Sequence, residues 1–156
     1  MNRLQNILAY LCVYYPHKGE LSKARLTKLV YLADWFSALS DNRQMSEIKW
    51  LFNHYGPYVD DITLCAQSSN QFNITTEQTL HGSAKYLIQF VGTLDNNVLS
   101  GRDKQILDLV IDRTKHMYFN DFIEYVYSTY PVQSKDRYSY LDLIFLANEY
   151  KASTSH

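Results

Sequence analysis

The sequence predicts an α+β fold, mostly α: a helical core around a central buried helix, with a small antiparallel sheet. Three observations predict it. Apolar residues recur at helical spacing toward both ends of the chain, short runs in the middle alternate with a period of two, and no repeat, low-complexity tract or linker divides the 156 residues. Residues 1–150 are therefore expected as a single domain and 151–156 as a flexible tail. With 46% hydrophobic against 20% charged residues, a chain of this length can supply its own core without disulfides or metal.

At the start, Arg3 followed by the apolar run Ile7 to Tyr15 superficially resembles a secretion signal. The run ends in Pro16-His17-Lys18, lacks a small-residue cleavage site and is too short to span a bilayer. Leu4, Ile7, Leu8, Leu11, Tyr14 and Tyr15 instead form a helical seam. A cytoplasmic protein is expected, in which the Asn73-Ile74-Thr75 sequon carries no sugar.

Pro16-His17-Lys18-Gly19 reads as a turn, and Ser22 as the N-cap of a helix over 22–39. Leu26, Leu29, Val30, Ala33 and Phe36 line one face of that helix, and Leu32, Trp35 and Leu39 a neighbouring one, so it is packed on more than one side. Ser40 to Gln44 is polar and turn-like. Ile48, Trp50 and Phe52 then read as a short strand. His54-Tyr55-Gly56-Pro57 breaks the strand, with Pro57 expected in the first turn of a helix running to Ser68. Phe72 with Ile74, and Tyr86 with Ile88 and Phe90, are two further strands joined by the polar connection Thr75 to Ser83. Ser100 with Asp103 caps a helix whose apolar face carries Ile106, Leu107, Val110 and Met117. Asn120 is expected to cap the next, with Phe122, Ile123, Val126, Tyr127 and Tyr130 inward and Pro131 as the stop. Ser139 and Leu141 to Tyr150 form the last helix.

Charge and composition exclude several functions. Fifteen Lys+Arg against sixteen Asp+Glu leave none of the basic surplus of a nucleic-acid binder or polybasic membrane anchor. Lys23, Arg25 and Lys28 could form a local patch, which as a helix flank reads as solvated. Cys12 and Cys65 stand apart and read as buried, reduced thiols. The five histidines are scattered, with no metal-ligand spacing, no glycine-rich phosphate loop and no nucleophile elbow. Asp60-Asp61 reads as a first-turn dipole pair. Neither catalysis nor a cofactor is expected.

The excess lies in tyrosine, 14 in all, with seven between Tyr118 and Tyr150. Tyrosine offers large contact area at small entropic cost and keeps one polar end, as binding surfaces require. Tyr58 after the Gly-Pro turn, Tyr125 off the apolar stripe of its helix and Tyr138 in a loop are the candidate partner-binding residues.

Two segments resemble one family. Lys28-Leu29-Val30-Tyr31-Leu32-Ala33-Asp34-Trp35 is similar to the signature helix of the Panacea, or SocA-like, domain. Ile48-Lys49-Trp50 followed by Asn53-His54-Tyr55-Gly56-Pro57-Tyr58-Val59-Asp60-Asp61 resembles its second block, with matching spacing. Many members carry a glycine in the intervening loop, where this chain reads Asp41-Asn42-Arg43-Gln44; the departure bears on the shape of that turn.

The resemblance implies a bacterial or prophage antitoxin that neutralises a small toxin encoded by an adjacent gene. Another mode in the family is delivery of a bound toxin to an ATP-dependent protease. Members pair with very different toxins. The matched residues Tyr31, Asp34, Trp35, Trp50, His54, Tyr55, Gly56 and Pro57 read as structural. A buried Asp34 needs hydrogen-bond donors, and Trp50, His54 and Tyr55 could supply them in a polar knot between helix and strand. An enzyme site around Asp34, His54 and Tyr55 is the rival reading.

Overall fold

The computed structural model describes residues 1–80, 82 and 84–154. Its elements in chain order are α1 (Arg3–Tyr14), α2 (Lys23–Asp41), β1 (Trp50–Asn53), β2 (Gly56–Tyr58), α3 (Asp61–Gln67), β3 (Phe72–Gln78), β4 (Ala84–Phe90), α4 (Gly101–Thr114), α5 (Phe119–Tyr127), α6 (Tyr130–Ser134), β5 (Tyr140–Leu141) and α7 (Leu143–Thr154). This is the mostly helical α+β fold that the sequence predicts. The chain divides into two compact units, Met1–Thr27 with Asp60–Lys115, and Lys28–Val59 with the segment from His116 onward.

In the first unit, α1 opens with a capping box. Gln5 N–H donates to Asn2 Oδ1 at 2.8 Å and Asn2 N–H to Gln5 Oε1 at 2.9 Å, satisfying two otherwise orphaned donors. Ile7, Leu8 and Leu11 are fully buried. Tyr14, expected on that seam, is half exposed and packs on Tyr10, ring centroids 4.5 Å apart. The Lys18 ammonium donates to the Cys12 and Val13 carbonyls and so closes the open end of the helix. Ser22 caps α2 as expected, accepting from Arg25 N–H at 3.1 Å. The capping box of Ser100 and Asp103 opens α4; that helix ends at Thr114, so Met117 lies beyond it.

Strands β3 and β4 pair antiparallel from Phe72↔Phe90 to Gln78↔Ala84. The pairing extends into the segment expected as a polar connection, because each ladder step satisfies backbone groups whatever the side chain. Residues 81 and 83 of that connection lie outside the described residues.

The second unit holds a three-stranded sheet, order β2-β1-β5. Pro57 does not begin a helix. Gly56, at φ +97°, lets the chain reverse, and residues 56–58 pair back onto 51–53. Pro57 sits on an edge strand, where its missing N–H costs nothing. α5 starts at Phe119 rather than behind an Asn120 cap, since Phe122 N–H already donates to the Tyr118 carbonyl. Pro131 opens α6 instead of stopping α5. Ser139 accepts from Phe52 N–H in the sheet, and Asp142 caps α7. That last helix continues to Thr154, into the segment expected as a tail; residues 155 and 156 lie outside the described residues. No helix among the described residues is long and apolar enough to cross a membrane.

Candidate functional site

Asp34 sits two-thirds of the way along α2 with no solvent exposure. Its Oδ1 accepts from Ser46 N–H at 2.8 Å. Its Oδ2 accepts from the Trp50 indole N–H at 2.8 Å, the Ser46 hydroxyl at 2.5 Å and the Gln44 amide at 3.4 Å. Burial pushes the carboxyl pKa up, and the Ser46 and Trp50 donors with the Met45 backbone N–H pull against that rise. Gln44 also donates to the Ser46 and Ile48 carbonyls. The carboxylate thereby fixes the irregular stretch between α2 and β1 and places Trp50 in the sheet.

The loop begins with Asn42 at φ +57°. Asparagine tolerates this left-handed conformation better than most other non-glycine residues. The polar knot is as expected in kind but not in membership. Trp50 is a donor, whereas His54 and Tyr55 are exposed in the β1–β2 turn, packed on each other at 4.6 Å. Neither bonds to Asp34, so the three groups of the rival enzyme site do not converge. Tyr31 is buried, its hydroxyl paired with that of Thr129 at 2.8 Å and its ring edge-on to Trp50 at 5.5 Å. Trp35 packs against Tyr150.

The sheet built on this knot has two unlike faces. Trp50↔Leu141 and Phe52↔Pro57 form buried cross-strand pairs. Leu51 pairs with Tyr58 on one side and Tyr140 on the other, so these three share the opposite face. Tyr140 is 72% exposed and Tyr58 partly so. Tyr138, two residues before Tyr140, is 67% exposed at φ +70°, a rare backbone for a bulky residue. Its N–H donates to the Phe52 carbonyl while Phe52 N–H donates to the Ser139 carbonyl, so β1 holds the strained residue in place. Arg137 braces the same loop, donating to the His54 carbonyl at 3.2 Å with its guanidinium 5.5 Å from the Phe52 ring centroid. Tyr55, 75% exposed, caps the turn beside it.

A family model described as antitoxin SocA-like, Panacea domain, matches residues 26–131. The chain belongs to this family. No curated protein and no solved structure matches it. The matched segment of the Panacea domain contains the whole Asp34 knot and the β1–β2 hairpin, and it stops before Tyr138 and Tyr140.

Of the three partner-binding candidates, Tyr58 lies on β2 and Tyr138 in the loop whose backbone bonds to β1 of the same sheet. Tyr125 stands half-buried on α5, and among the described residues no ring or hydrogen-bond contact joins its side chain to that sheet. Tyr140 was missed because its segment reads as helix; the signal was the alternation of Tyr138, Tyr140 and Asp142 with Leu141. Lys23, Arg25 and Lys28 form no common patch. Arg25 is buried, donating to the Tyr15 hydroxyl at 3.0 Å and 3.7 Å from Glu20. Lys28 is 2% exposed with no hydrogen bond or ion pair to a described residue, and burial lowers its pKa to about 8. Burial likewise pushes the Cys12 thiol up to about 12 and the Cys65 thiol to about 11, leaving both protonated and unreactive near neutrality. No group of three or more potential metal ligands exists among the described residues.

Proposed function

We propose that this Panacea domain is a non-catalytic antitoxin that neutralises a small toxin, encoded by the adjacent gene, by covering it with the tyrosine face of the β2-β1-β5 sheet. The observation that carries the reading is Tyr138. A solvent-facing ring on a left-handed backbone costs about 1–3 kcal/mol, and nothing in the packing of the core needs that ring outside. Such strain is kept where a side chain must be presented. With Tyr140, Tyr58 and Tyr55 it supplies aromatic anchors of the kind found in interfaces burying around 1,600 Å² in total. The buried knot supplies the rigid support beneath it.

Co-expression of the neighbouring small reading frame with this protein tests the reading. Growth should be restored while both proteins stay soluble and the toxin's half-life in a pulse-chase is unchanged or longer. Persistent arrest contradicts the reading. A shortened half-life would make the protein an adaptor for an ATP-dependent protease instead.

A further inference from the structure

The first unit carries a recessed surface that shares no residue with the tyrosine face. A cleft of about 430 Å³ lies over one face of the β3–β4 hairpin, a size typical of ligand sites. Its floor is two cross-strand pairs, Ile74↔Ile88 and Thr76↔Tyr86. Its wall is the face of α3 that carries Ala66 and Gln67. One charged residue lines it, Lys23 in the first turn of α2, whose ammonium stands 5.3 Å from the centroid of the Tyr86 ring. That ammonium forms no ion pair with a described residue, so the cleft runs from the apolar Ile74–Ile88 pair to a single unneutralised cation at one end.

The floor also sets a length. Ile74 and Thr76 are two residues apart on one strand, about 7 Å, so the distance from the isoleucine pair to the level of the cation is one dipeptide repeat of an extended chain. The geometry points to a binding site for an extended peptide segment of a partner protein, with an aliphatic side chain on Ile74 and Ile88 and a carboxylate two residues on, against Lys23. Charge complementarity selects that occupant: a neutral apolar segment leaves the ammonium unpaired, and a basic one is repelled by it. The aromatic ring beneath the ammonium holds it at the rim.

The probe is a fluorescein-labelled heptapeptide, Gly-Ser-Leu-Ser-Glu-Ser-Gly with blocked ends, titrated with the full chain and read by polarisation. Replacing its glutamate with glutamine should weaken binding about fivefold, the worth of a partly exposed ion pair. The variant Lys23→Gln should bind both peptides alike, at the weaker level. Thr76→Trp, at an exposed strand position, should fill the cleft and abolish binding of either peptide. Circular dichroism is the check that both variants are folded. Equal binding of the two peptides by the unaltered chain, binding that survives Thr76→Trp, or no binding by folded protein at millimolar peptide would overturn the inference. So would decanoate that binds in a Lys23-dependent way where the peptide does not.

Discussion

The β3–β4 hairpin pairs seven consecutive residues on each strand across a local connection. The β2-β1-β5 sheet joins strands of three, four and two residues, the last from far along the chain. The first runs in register over all seven pairs and is tied by Ile88 N–H to the Leu21 carbonyl. The second is too short for that, and its position comes from side chains: the Asp34 carboxylate on Trp50, the close approach of Gly56 to Tyr127, and Arg137 on the β1–β2 turn. The difference teaches where each sheet is vulnerable. Outward substitutions on the hairpin should be tolerated, whereas single buried substitutions under the short sheet should unfold it and carry the tyrosine face away with it.

The largest effect is expected from Asp34→Ala, which strands the Ser46 and Trp50 donors without acceptors. It should lower the unfolding free energy by about 3–5 kcal/mol in urea denaturation, while Thr75→Ala, at an exposed position of the hairpin, stays within about 0.5 kcal/mol. Comparable losses at the two positions would erase the distinction.

Next comes Gly56→Ala. Its backbone lies at φ +97° and a Cβ there would meet the Tyr127 ring at 2.9 Å, so a loss of about 2–3 kcal/mol is expected. Adding Tyr127→Ala should return the steric part but not the backbone part.

Much of this contrast was legible in the sequence, and what was not has a physical cause. Ser22, and Ser100 with Asp103, were readable as caps because a cap is a local pattern. Asp34 in an apolar helix and Trp50 on a period-two strand marked both ends of the knot. Ser46 and Gln44 were not readable as its donors, because an irregular loop has no period to place them. Residues 56–58 and 140–141 are strands only because β1 offers them an edge, a tertiary choice that propensity does not record. Lys28 and Arg25 read as solvated bases, since their burial depends on what packs over α2.

Lys28→Met addresses that last point. A buried ammonium with a lowered pKa binds its proton less readily folded than unfolded, so its contribution to stability rises as pH climbs from about 8 to the unfolded value near 10.4. The variant should be more stable at pH 7 by about 3 kcal/mol. The difference between variant and unaltered chain should shrink over that window. A constant difference would place the ammonium in water.

The smallest stability effect, and the sharpest functional one, belongs to Tyr138→Gly. Glycine adopts the left-handed backbone freely, so relief of strain should raise stability by about 1 kcal/mol while the presented ring is lost. A stabilised chain that still protects cells fully would detach Tyr138 from partner binding.

Isothermal titration of the adjacent gene product with the unaltered chain and with Tyr138→Ala/Tyr140→Ala tests the central claim most directly. The unaltered chain should bind one toxin with a dissociation constant of nanomolar order, and the double variant, equally folded by circular dichroism, should bind at least a hundredfold more weakly. Equal affinity of the two would contradict it.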